Sequence, residues 1–226
     1  MRLTKVLTLK QAASPNFGSG DWWNEAPTSP PTQAYWNSWQ AGLKAETQKL
    51  ADQYAAGDIT LEVWVASVFR ILEDGHGLAW MLGRQRANDL TPWSEADRTT
   101  GIIAAQFDAP FLLRFKNQIE ANDPRYIDLE SGVIDSEAIA KRTALYTERF
   151  RGTAGWAWEQ SLPTEAQIDW VMTKIEHCPD CPELASGGPY FPGELVTVPG
   201  EGMTACFMNC GCHLKTNDFE PSFERT

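Results

Sequence analysis

Cysteine is absent from the first 177 residues of this 226-residue chain, and histidine occurs only at His76, His177 and His213. Basic residues are scarce as well: 19 lysines and arginines stand against 30 acidic residues, a formal net charge of −11. A general nucleic-acid coat needs a basic surface, so this balance excludes one while leaving room for a local basic patch. No apolar run is long enough to span a bilayer. The opening MRLTKVLTLKQ breaks its isolated apolar residues with Thr and Lys, which does not make a secretory signal. The expectation is a soluble protein made in a reducing cytoplasm. No G-x-S-x-G, P-loop or H-E-x-x-H occurs, so the familiar catalytic motifs are missing too.

What is present is a concentration of thiols. All five cysteines, Cys178, Cys181, Cys206, Cys210 and Cys212, fall within residues 176–214. A C-x-x-C pair, a Gly/Pro-rich excursion and a second cluster spaced C-x-x-x-C-x-C bring two halves of one tetrahedral thiolate site together. Pro179, Pro182, Gly187 and Gly188 favour a tight turn at the first pair, and Asn209 with Gly211 do the same at the second. The expected site is structural zinc, held by Cys178 and Cys181 with two of the last three cysteines, His177 or His213 being able to replace one. Three readings compete with it. A redox C-x-x-C would open a helix after a strand in a thioredoxin-like unit, without further thiols crowding it. A disulfide framework would leave one cysteine over and suits shorter chains. Unliganded thiols are the third.

A closed four-ligand site organises folding and leaves zinc no open position for activating water. The segment is poor in apolar residues, so a binding free energy of about 10 kcal/mol or more would be folding free energy for it. A zinc-dependent nuclease or hydrolase is the rival from another class, with Glu176, His177 and Asp180 cast as acid or base. The plainer reading makes those three supporting or surface groups.

Along the chain, residues 1–30 read as an extended arm, rich in Pro and Gly, with adjacent Trp22 and Trp23 suited either to docking on a neighbouring subunit or to folding back on the chain's own body. Residues 31–175 read as a mainly α-helical domain. A first helix from Pro31 carries Tyr35, Trp36, Trp39, Leu43, Leu50 and Tyr54 up to Gly57. A second, capped by Asp58 or Thr60, carries Leu61, Trp64, Val65, Val68 and Leu72, and is expected to break at Gly75-His76-Gly77, where His76 is a packed or capping residue. A third starts at Thr91-Pro92-Trp93-Ser94 and is expected to kink or stop at Pro110. Asp135 or Ser136 then caps a helix running to Trp158, on which Lys141, Arg142, Arg149 and Arg151 form the most basic face. Thr164 and Gln167 suggest a capping box for a last helix through Ile168, Trp170, Val171 and Ile175. The zinc knob with short strands, residues 176–214, follows, and then a polar tail, residues 215–226, expected to fray.

Arg142, Tyr146 and Arg151, then Trp170 with E-H-C-P-D-C, then a stretch ending P-G-E-G-M-T-A-C-F-M-N-C-G-C-H-L, resemble the minor head or head-morphogenesis proteins of tailed phages. The similarity is to the broad Mu F-like group and covers about the last third of the chain. It implies a non-enzymatic virion protein in few copies per particle, associated with capsid, portal or neck proteins, with a homo-oligomer as one form of assembly. It also implies that Cys178, Cys181, Cys206, Cys210 and Cys212 are the metal-binding set. Gly211 stands where such proteins often carry a basic residue, which with the acidic balance makes DNA contact secondary to protein contact. A host-directed zinc adaptor is a further alternative.

Overall fold

The computed structural model describes residues 30–173 and 177–225, so the arm with Trp22 and Trp23 lies outside the described residues except for Pro30. The body is helical, and its starts are where short polar side chains take up free backbone N–H groups. Helix α1, Gln33–Ala55, begins after Thr32, whose hydroxyl accepts from the Tyr35 N–H at 3.1 Å. Helix α2, Leu61–Arg86, is capped by Thr60, and α3, Glu95–Glu120, by a reciprocal Ser94–Asp97 box. Asp135 caps α4, Ser136–Thr147, and α5 follows as Phe150–Gln160. Helix α2 is the central element: α3 and α5 pack on it, while α1 packs mainly on α4.

Two expected interruptions do not occur. Helix α2 runs unbroken through Gly75-His76-Gly77 and α3 through Pro110. The glycines serve close approach between helices. A Cβ on Gly101 would lie 2.5 Å from the Gly77 backbone nitrogen, and one on Gly75 would strike the Phe150 ring. Pro110 costs α3 a backbone donor, but buried residues anchor the helix on both sides of it, Gly101 and Ala105 before, Leu112, Phe115 and Ile119 after. Tertiary packing thus overrides both local breakers.

Conversely, the helix expected from Asp135 to Trp158 is two, α4 and α5, because the chain turns at residues 148 and 149 to pack one piece on α1 and the other on α2. The turn disperses the expected basic face. Lys141 pairs with Glu137 at 2.6 Å, Arg142 lies over the Phe115 and Tyr146 rings, Arg149 binds Asp108, and Arg151 is buried. His76 is the packed residue expected: Nδ1 is 2.7 Å from Thr153 Oγ1 and Nε2 3.0 Å from Asp108 Oδ2, tying α2, α3 and α5 together.

Two apolar cores result. The larger lies among α1–α4 and the start of α5 around Trp36, Trp64, Leu72, Phe115 and Phe150, and the smaller gathers Trp158, Ile168, Trp170, Leu195, Val198 and Leu214 with buried cysteines. The tail does not fray. Phe223, 3% exposed, stacks on Trp36 with ring centroids 4.4 Å apart, and the Arg86 guanidinium lies 5.0 Å from its centroid. Arg86 also donates to the Pro221 and Pro31 carbonyls, and Gln33 exchanges two hydrogen bonds with the Glu224 backbone. Among the described residues no helix is long and apolar enough to cross a membrane.

Candidate metal centre

After α5 the chain forms not the expected last helix but strand β1, Asp169–Val171, antiparallel to β2, His213–Lys215, with Trp170 opposite Leu214. The physical reason is visible in the alternation of buried Ala166, Ile168 and Trp170 with exposed Glu165, Gln167 and Asp169, a period of two. Ile168 adds a bridge to Tyr190. This two-stranded pairing fixes the site, since β1 leads toward Cys178 and Cys212 immediately precedes β2.

The first cysteine pair does not sit in a simple turn. It opens a short helix, α6, Asp180–Gly187, in whose first turn Pro182 is tolerated because those N–H groups have no helical partner. A helix opened after a strand is the setting ascribed above to redox chemistry. The strand here belongs to a two-stranded antiparallel pair, however, and the thiols are crowded by three more. Asp180 Oδ2 accepts from the Ala205 N–H at 2.6 Å, joining the start of α6 to the second cluster. That cluster is shaped by the 3-10 turn Phe207–Asn209, and the Thr173 hydroxyl donates to the Gly211 carbonyl at 2.5 Å.

All five thiols converge. Cys178, Cys181 and Cys206 form one group and Cys181, Cys210 and Cys212 another, the sulfurs of each lying within 4.8 Å of one another. Cys178 and Cys181 are 3.3 Å apart, Cys181 and Cys210 3.8 Å. Four sulfurs around zinc at bonds of about 2.3 Å would be separated by about 3.8 Å, a spacing the Cys181–Cys210 pair meets, and each group offers three of the four thiolates such a site needs. Cys181 belongs to both groups and is buried, as are Cys210 and Cys212. Neither His177 nor His213 joins either group. His213 is buried on β2 with Nδ1 3.5 Å from a Glu224 carboxylate oxygen, and burial holds its pKa below the ordinary value.

The electrostatics divide the thiols. Burial, then the bond with Cys178, pushes Cys181 far up, and the bond with Cys212, then burial, does the same to Cys210. Burial also drives Cys206 up to about 11. At Cys178 burial opposes charge, yet hydrogen bonds from Cys181 and Cys206 outweigh it and bring the thiol down to about 7; the bond from Cys210 lowers Cys212. Some thiols therefore ionise because their neighbours stay protonated. Ionising four together requires a cation among them, which is what a soft, thiolate-binding divalent metal supplies.

The residue missing from the sequence-based site is Arg151. Its guanidinium, 4% exposed, donates from Nη1 to the Cys212 carbonyl at 3.0 Å and from Nη2 to the Cys210 carbonyl. The signal was its place on the α5 face shared with Gly155 and Trp158, a buried face once α4 and α5 are separated. Glu176 lies outside the described residues. Asp180 is engaged in the Ala205 contact rather than aimed at the thiols. Comparison with known proteins gives no match for this chain, whether against family models, curated proteins or solved structures.

Proposed function

We propose that this chain is a non-catalytic structural protein of a tailed-phage virion, a minor head or portal-associated component acting in head assembly through protein contacts, with one structural zinc ion organising its C-terminal part. The observation that carries the metal half of this reading is the convergence of five thiols in two groups sharing Cys181. An all-thiolate donor set suits zinc, and four such ligands close the coordination shell, which favours a structural over a water-activating ion. The phage assignment is supported by the E-H-C-P-D-C and C-F-M-N-C-G-C segments and their resemblance to the Mu F-like group.

Contact with proteins is supported by the surface. Ile103, Phe107 and Phe111 recur every four residues along α3 and are 52%, 68% and 45% exposed, and the exposed Met203 lines a surface hollow together with Ile103 and Phe107. Large apolar side chains grouped on one face mark contact surfaces. The net charge of −11 suits a protein partner better than DNA.

Two measurements test the reading. Elemental analysis of chelator-free protein should give about one zinc per chain, and Cys181→Ser, which removes the thiol common to both groups, should abolish metal retention. Capture by the purified capsid, portal or neck proteins of the same virion should succeed with the wild type. Metal-free wild-type protein refutes the zinc site, and failure to bind any of those proteins refutes the assembly role.

A further inference from the structure

Resting on that metal reading, we infer that Arg151 is the counter-ion of the metal–thiolate centre and the residue through which α5 positions the Cys210–Gly211–Cys212 loop. Arg151 is a buried cation without a buried anion beside it. Among the described residues no carboxylate lies within ion-pair distance of its guanidinium; Glu148, the one carboxylate whose charge acts on it, is engaged with Lys44 at 2.9 Å and Arg225 at 3.8 Å. Its Nε has no acceptor, and its remaining contacts are two backbone carbonyls. Burying an unpaired guanidinium is costly, because carbonyl dipoles replace only part of its hydration.

The structure surrounds that cation closely. Gly200, at φ +86°, lays the loop before Cys206 against the guanidinium, where a Cβ would stand 2.8 Å from Nε, and Gly152 meets the backbone of residues 200 and 201. Both carbonyls that Arg151 holds belong to cysteines of the second thiol group. With neutral thiols nothing there balances the charge. With four thiolates on a divalent cation, the centre carries a net double negative charge, and the buried guanidinium becomes its partner. Arginine suits the position because its rigid fork spans two carbonyls at once, which a lysine ammonium does not do. The device is the same outer support by which ligand residues are commonly oriented around metals, here acting on main-chain carbonyls of the ligand residues.

The test uses the full chain with cobalt(II) as a spectroscopic stand-in and zinc in competition with a chelator, comparing wild type, Arg151→Gln and Arg151→Lys. Glutamine keeps a donor toward the carbonyls and loses the charge; lysine keeps the charge. Arg151→Gln is expected to weaken zinc binding by about 10–100-fold and to shift the thiolate-to-cobalt charge-transfer band, and Arg151→Lys, which keeps the charge but not the fork, to recover part of both. Wild-type affinity and spectrum in Arg151→Gln overturn the inference, as does an Arg151→Lys protein no better than Arg151→Gln. Should Arg151→Gln not fold, loss of cobalt binding by folded Arg151→Lys overturns it and retention supports it. Wild-type protein that takes up neither metal refutes the metal centre itself, a distinct result.

Discussion

Truncation of Phe223 probes whether the C-terminal tail is part of the fold. The ring is 3% exposed, stacked on Trp36 and capped by Arg86, so Phe223→Ala removes a large buried side chain and leaves a cavity against the first turns of α1. Such truncations cost about 3–5 kcal/mol, of which roughly 0.5–1.5 reflects the aromatic pair. For a chain of this size each kcal/mol moves the melting temperature by about 2–4 °C, so the expected drop is roughly 6–20 °C. The assay is thermal and urea unfolding followed by circular dichroism on metal-loaded protein, holding the metal constant because a bound ion shifts apparent stability. Phe207→Ala, at a position 61% exposed, is the control and should change stability by less than about 0.5 kcal/mol. If Phe223→Ala is as mild as the control, the tail does not strap the body and the packing argument is wrong.

In metal-free protein at pH 7 to 8, Cys178 should be the first thiol alkylated, because its pKa of about 7 makes it substantially thiolate there while Cys206 at about 11 stays protonated. Peptide mass spectrometry after brief iodoacetamide treatment checks this, and first labelling at Cys206 would contradict it. Gly83→Ala should destabilise by about 1–3 kcal/mol or more, since its Cβ would overlap the Ala154 backbone with the carbonyl carbon 2.8 Å away, whereas Gly42→Ala in the middle of α1, with nothing within 4 Å, should stabilise by about 0.5–1 kcal/mol. Equal signs in urea unfolding for the two variants would show that helix spacing is not set at Gly83.

The helical body was readable wherever a cap and an apolar periodicity agreed, as at Thr60, Ser94 and Asp135. Local signals misled where distant packing decided. Gly75 and Gly77 look like breakers in isolation, yet their meaning lies in Phe150 and Gly101, far away in sequence. Pro110 is outvoted by the anchored residues on either side. The stretch from Ala166 to Val171 carries a period of two, which the capping pattern of Thr164 and Gln167 masks in the sequence. The cysteines announced themselves by spacing, and their convergence into two groups follows from the β1–β2 pairing, which no spacing encodes. Arg151 is hidden for the converse reason: at helical spacing it falls in with Lys141, Arg142 and Arg149 as one basic face, and only the turn between α4 and α5 takes it out of that face.

The paired hydrogen bonds between Gln33 and Glu224, with Arg86 holding the carbonyls of both Pro31 and Pro221, bring the two ends of the described chain to one spot. Topologically the fold is close to a ring. A peptide joining residues 30 and 225, with the chain reopened at the exposed turn of residues 130–133, would leave the Gln33 and Arg86 contacts in place while moving the termini into the α3–α4 connection. The thiol-bearing segment, residues 178–212, is followed by the tail that closes on α1 through Phe223, so it is interior to the circuit.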